Sequence, residues 1–92
     1  MPFFIFPLRD KHVDIHTAFS LRCEATGVPL PRYAWFKDGL PLTSTPGDVE
    51  VRGNVVSFTD ADPERHNGMY ECSASNVYGT RLSSAQVRVL GE

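Results

Sequence analysis

Apolar and polar residues alternate along most of this chain. In Ala18–Ala25, Phe19, Leu21 and Cys23 alternate with Ser20, Arg22 and Glu24, the period-two pattern of a half-buried strand. The same period predicts a strand over Arg32–Lys37, with Tyr33 and Trp35 on one face. Asp48–Arg52 turns Val49 and Val51 inward, and Val55–Thr59 turns Val56 and Phe58 inward. Met69–Asn76 places Tyr70, Cys72 and Ala74 inward, and Thr80–Leu90 does so with Ala85, Val87 and Val89. Turn chemistry separates these runs at Thr26–Pro31, Lys37-Asp38-Gly39, Gly53-Asn54 and Asn76–Gly79. Pro41–Gly47 reads as loop with at most a short strand, and Asp60–Asn67 as a polar crossing loop with room for one helical turn. No segment shows sustained helical periodicity. Seven or more short strands with turns between them predict an all-β antiparallel sandwich.

The first strand needs separate treatment. Phe3–Leu8 is apolar but broken by Pro7, and proline donates no ladder hydrogen bond, so it belongs on an edge or at a kink. A strand before Pro7 on one sheet, then a switch to the other sheet through Val13 and Ile15, is expected. Alternation leaves half of Phe3, Phe4, Ile5 and Phe6 facing out. Such side chains either pack within the sandwich or dock a neighbouring domain or partner.

Cys23, Trp35 and Cys72 set the centre. Two cysteines in different halves, with a tryptophan soon after the first, read as two packed sheets pinned through their middle. Tyr70, two residues before Cys72, is then a corner residue, its ring in the core and its hydroxyl bonded to backbone upstream. A Cys23–Cys72 disulfide would contribute roughly 4 kcal/mol on the chain-entropy account. Two cysteines suggest an oxidising compartment, but a cytosolic domain with reduced thiols is the other reading.

Bulk properties narrow the classes. With 92 residues and 41% hydrophobic content, the chain supports one domain with one core. The net charge is −2, with arginines scattered among acids; no basic stripe forms, so nucleic acid is not an expected partner. No apolar run approaches membrane-spanning length. Met1–Phe6 lacks the charged region and cleavage site of a signal peptide. The chain therefore reads as a single domain, residues 1–92, taken from a longer multidomain protein.

The combined elements identify a family. Cys23, Gly27-Val28-Pro29-Leu30-Pro31, Trp35-Phe36-Lys37-Asp38-Gly39, Gly68-Met69-Tyr70-Glu71-Cys72 and Ala74-Ser75-Asn76-Val77-Tyr78-Gly79 resemble an immunoglobulin domain of the intermediate, or I-set, type. The resemblance covers nearly the whole chain. It departs at His66, where the family usually has Asp two residues before the corner glycine. Gly53-Asn54-Val55-Val56 with Tyr70–Thr80 is similar to domains of neural adhesion receptors such as contactins and neurofascin. The Lys37-Asp38-Gly39 turn is also common in giant muscle proteins such as titin.

The resemblance implies a non-enzymatic protein-binding module of a cell-surface, extracellular adhesion molecule or receptor. The alternative is a structural domain of a cytosolic, titin-like protein. No catalytic constellation, phosphate loop or cofactor motif is visible. On a strand, His12, Asp14 and His16 would share a face and could hold a metal; against this stands the solvated edge of a strand, and no metal is expected. Asn54, Asn67 and Asn76 lack a glycosylation sequon. The expected partner is another immunoglobulin-like or fibronectin-type domain, or a second copy. Two faces are candidates: one carries Arg22, Glu24, Val55 and Ser57, the other Phe36, Glu71, Ser73 and Arg88. Aromatic and Arg residues dominate binding hot spots, so Phe36, Arg88 and Tyr78 are the candidate contacts. Shielding of Phe36 by Leu40–Thr43 is the competing reading.

Overall fold

The computed structural model describes residues 1–91. It is a two-layer β-sandwich. The strands are β1 (Phe3–Phe6), β2 (Lys11–Asp14), β3 (Phe19–Arg22), β4 (Glu24–Thr26), β5 (Arg32–Lys37), β6 (Leu40–Pro41), β7 (Val49–Arg52), β8 (Val55–Phe58), β9 (Gly68–Asn76) and β10 (Gly79–Leu90). One helical turn, α1 (Pro63–His66), lies between β8 and β9.

One layer contains β3–β8–β7, and β4, which continues β3 beyond Cys23, adds β1. The other is β2–β10–β9–β5–β6, antiparallel except for β2, which runs parallel to β10. The expected change of sheet at Pro7 is present: β1 pairs with β4 and β2 with β10. Side chains tie the crossing segment down. Leu8 N–H donates to Ser83 Oγ at 2.9 Å, and Gln86 N–H to Asp10 Oδ1 at 2.9 Å.

The inward positions of the two layers meet in one core. Leu21, Cys23, Trp35, Val56, Phe58, Tyr70, Cys72, Ala85 and Val87 are buried in it. Cys23 and Cys72 are joined by a disulfide with a Cα–Cα distance of 6.6 Å. Trp35 lies opposite Cys72 on the neighbouring strand, and its indole N–H donates to the Gly53 carbonyl at 2.8 Å. That bond satisfies the polar end of an otherwise apolar ring.

Two departures from alternation have local causes. β1 carries an irregularity between Phe4 and Phe6. A bulge adds one residue to a strand, so Phe3 and Phe6 both pair with outward residues, Thr26 and Glu24. Ile5 also faces solvent, so more of β1 is exposed than alternation predicts. The second departure is at β2, which stops at Asp14. His16 lies in a turn at φ 66° and leaves the face shared by His12 and Asp14.

Candidate functional site

The outward face of the five-stranded sheet is a grid set by register. Phe36, Glu71 and Ser84 lie side by side, and Ala34, Ser73 and Leu82 form the next row. Arg32, Ser75 and Thr80 form the third. In the other direction Met69 lies beside Gln86, and Arg88 beside His12. The middle of the face carries the small side chains of Ala34, Ser73 and Ser84, which leave the backbone there approachable. Around them stand the exposed apolar side chains of Met69 and Leu82.

Phe36 is half-buried and lies opposite Pro41 of β6 on one side and Glu71 on the other. Arg88 is exposed. Tyr78 is exposed at the β9–β10 turn, where its N–H donates to Asn76 Oδ1 at 2.8 Å. Phe36 and Arg88 therefore share a face. Tyr78 sits at the far end of β10, about 30 Å from Arg88 at the usual strand rise per residue. Met69 and Leu82 were not among the expected contacts, although parity pointed to them: inward Tyr70 and Ala85 put their odd-even opposites outside.

One end of this face is braced by the β5–β6 hairpin. Asp38 and Gly39 both have positive φ, 51° and 84°, as a two-residue turn of primed type requires. Asp38 N–H donates to the Met69 carbonyl at 2.8 Å, and Met69 N–H donates to Asp38 Oδ1 at 2.9 Å. The bond from Met69 N–H holds the Asp38 carboxyl below its usual range, helped by the nearby Lys37 ammonium.

Behind the face lies the tyrosine corner. Tyr70 Oη donates to the His66 carbonyl at 2.8 Å. Burial pushes its phenol pKa up, and Asp38 and Asp48 add to the effect. His66 is only 2% exposed and packs edge-on against Phe58. Its Nδ1 accepts from Asp62 N–H at 3.0 Å, so in the neutral ring Nε2 carries the proton and donates to Asp48 Oδ1 at 2.9 Å. A carboxylate thus reaches this corner from the loop before β7, although the chain has histidine at the position where the family usually has Asp. Arg65 Nε, 3.4 Å from Asp48 Oδ2, sets a guanidinium beside that carboxylate.

His12 and Asp14 remain on the exposed face of β2, while His16 Nδ1 lies 3.0 Å from Asp60. Among the described residues no group of three His, Cys, Asp or Glu side chains could hold a metal ion. None of their helices is long and apolar enough to cross a membrane.

A family model described as an immunoglobulin domain matches residues 2–76. The chain is 36% identical to vascular endothelial growth factor receptor 1 of Rattus norvegicus, over 98% of its own length and 7% of the receptor's. It is 36% identical to myopalladin of Mus musculus, over 98% of this chain and 7% of that one. Contactin-5 of Rattus norvegicus is 33% identical over 97% of this chain and 8% of its own. The chain thus spans 7–8% of the length of these relatives. Among solved structures, titin domain M7 has a TM-score of 0.87 at 26% identity, covering 98% of this chain and 94% of that one. A titin M10 complex with an obscurin-like 1 immunoglobulin domain has a TM-score of 0.84 at 29% identity, covering 97% and 93%.

Proposed function

The chain belongs to the immunoglobulin domain family, and from that premise we propose that it is a non-enzymatic protein-binding module of a cell-surface adhesion molecule or receptor. Domains of this family, generally non-catalytic, occur both in receptors and contactins and in titin-like cytoskeletal proteins. The observation that carries the reading is the outward face of the five-stranded sheet. It carries small side chains at Ala34, Ser73 and Ser84, and it is edged by exposed Met69, Leu82 and Arg88. Small residues let a partner approach closely, and Met and Arg side chains such as Met69 and Arg88 are enriched at interfaces. A partner of the same architecture suits such a surface; titin M10, a domain similar to this one, forms a complex with an obscurin-like 1 immunoglobulin domain. In this reading residues 1–92 are one I-set domain of a longer protein, and the partner is an immunoglobulin-like or fibronectin-type domain, or a second copy.

Phe36 and Arg88 share this face and are tested by separate substitutions, whereas Tyr78 lies at its far end. Phe36→Ser with unchanged stability and weaker association, by analytical ultracentrifugation or against contactin-type ectodomains, assigns Phe36 to the interface. Lost stability means that it packs under β6. Unchanged stability and association in both Phe36→Ser and Arg88→Ala overturn this face as the binding surface.

The second reading, a spacer in a cytosolic filament protein, is favoured by the likeness to myopalladin and titin. Titration of free thiols in protein taken from its native compartment separates the two. Thiol-free protein supports an extracellular location, and two titratable thiols after denaturation support the cytosol.

A further inference from the structure

At one end of the sandwich the β4–β5 loop stands beside the β9–β10 turn, since β5 begins where β9 ends. Four apolar side chains there face solvent. Val28 is 87% exposed, Leu30 and Val77 79% each, and Tyr78 68%. Asn76 holds the two loops together: its Nδ2 donates to the Pro29 carbonyl at 2.9 Å, and its Oδ1 accepts Tyr78 N–H. Leu30 and Val77 line one cleft of about 470 Å³ together with Arg32. This tip belongs neither to the core nor to the middle of the five-stranded face.

Charge is divided between the two ends of the molecule. Residues 25–36 and 72–82 contain Arg32 and Arg81 and no carboxylate. Arg32 stands in an outward row with Ser75, whereas Arg81 lies opposite buried Ala74, so the two guanidiniums flank the tip on opposite faces of the sheet. Glu24, the acid nearest to the first loop in sequence, is ion-paired with Arg22. The other end gathers residues 14–17, 37–39, 46–48 and 59–67. His16 N–H donates to the Ala61 carbonyl there, and Thr59 N–H to that of Asp48. These segments carry Asp14, Asp38, Asp48, Asp60, Asp62 and Glu64. Their permanent cations, Lys37 and Arg65, are ion-paired with Asp38 and Asp48. Asp14, Asp60 and Glu64 are exposed. Asp14 lies opposite Leu90, an apolar side chain 46% exposed.

We propose that the apolar tip, flanked by Arg32 and Arg81, docks head-to-tail on the acidic end of a second copy of this chain. This goes beyond the binding face above, which the contact leaves uncovered.

Charge complementarity identifies the occupant. A tip with two guanidiniums and no acid selects a surface that offers an apolar group among carboxylates. The chain's own far end has that chemistry in Leu90 with Asp14, Asp60 and Glu64. Two tips repel each other, and so do two acidic ends, so a symmetric pairing is disfavoured. A head-to-tail contact is heterologous and does not stop at a dimer unless its rotation closes a ring. Asn76 already fixes both loops, which lowers the ordering cost of binding. Area sets the strength: the exposed parts of Val28, Leu30, Val77 and Tyr78 amount to roughly 550 Å², against about 800 Å² per partner in a stable complex. The contact is therefore weak, in the high-micromolar to millimolar range.

Sedimentation equilibrium of the whole chain from about 10 µM to 1 mM, at about 0.02 M and 0.5 M salt, tests this. At low salt the mean mass should rise above 10.2 kDa without levelling at twice that value. At high salt the rise should shrink. The double variant Arg32→Glu, Arg81→Glu should stay monomeric, as should Asp14→Lys, Glu64→Lys, both with the parent's unfolding midpoint. An equimolar mixture of the two should associate again, because one now has an acidic tip and the other a basic end. Leu30→Ser should weaken association with every charge intact. Phe36→Ser should associate like the parent, which separates this contact from the five-stranded face. A parent that stays monomeric at 1 mM and low salt overturns the proposal. So does a double variant that associates like the parent, a mixture that stays monomeric, or a mass that levels at the dimer. Loss of association in Phe36→Ser but not in the double variants overturns it in favour of the five-stranded sheet. A monomeric parent whose Leu30 and Val77 amide resonances shift on adding phosphatidylserine–phosphatidylcholine vesicles overturns it in favour of an anionic lipid surface.

Discussion

Tyr70 lies in the core with its hydroxyl 2.8 Å from the His66 carbonyl, so one side chain ties β9 to the end of α1. Tyr70→Phe keeps the ring and leaves that carbonyl without its donor. A loss of about 1–2 kcal/mol is expected, read as a lower urea midpoint with an unchanged slope. The raised phenol pKa also has a sign. Its contribution to stability is complete below the unfolded value, about 10, and is lost as pH rises through the higher folded one. The parent should therefore lose stability above about pH 10 more steeply than Tyr70→Phe does. Asp38 works at the acid end. Its folded pKa lies below the unfolded one, so its contribution is present above about pH 4 and is lost as pH falls through the folded value. Asp38→Asn should flatten the acid limb of the urea midpoint between about pH 2 and 5. Superimposable limbs would remove Asp38 from the hairpin's support. Trp35→Ala empties the centre of the core and should cost about 3–5 kcal/mol, enough to threaten folding.

Among the elements, α1 shows how a very short segment is held. Asp62 caps it, accepting Arg65 N–H at 2.9 Å, and Pro63 follows at the first helical position. Asn67 then anchors it to β10 by accepting Val89 N–H at 2.6 Å. Asp62→Ala should cost about 1 kcal/mol in denaturant unfolding; no change would mean that tertiary contacts alone hold the turn. β9 and β10 behave differently. Their inward residues were legible from alternation because a half-buried antiparallel strand must place one parity in the core. β1 was less legible: its bulge breaks parity, and a bulge answers to the pull of neighbouring strands more than to the residue types in it.

At the scale of the molecule, the disulfide joins the two layers across 49 residues of sequence. Closing so long a loop restricts the unfolded chain and should contribute about 4 kcal/mol, a large part of the stability of a small domain. The double variant Cys23→Ala, Cys72→Ala should therefore unfold at much lower urea than the oxidised parent. An unmoved midpoint would mean that the packed layers alone account for stability. The same architecture leaves both outer faces and the β1 edge at the surface, where contact residues can vary without disturbing the core.

Local periodicity and turn chemistry determined the strands, the inward parity of Tyr70, Cys72, Ala85 and Val87, and the outward parity of Phe36 and Arg88. These follow from the chain alone because side chains alternate across a strand whatever it pairs with. The positions of the Asp38-Gly39 turn and the change of sheet at Pro7 were legible for a similar reason: glycine tolerates positive φ and proline cannot donate. Contacts between residues distant in sequence were decided by the tertiary structure. Nothing near His66 announces that Asp48 will meet its ring at 2.9 Å, turning a residue expected in a polar loop into a buried one. Nor does the sequence reveal that the Tyr33 hydroxyl will bond both the N–H and the carbonyl of Ala25, at 3.0 and 3.1 Å. Register left Tyr78 at the far end of the face that Phe36 and Arg88 share. Such pairings depend on how the two layers stack, a property of the closed sandwich and not of any single strand.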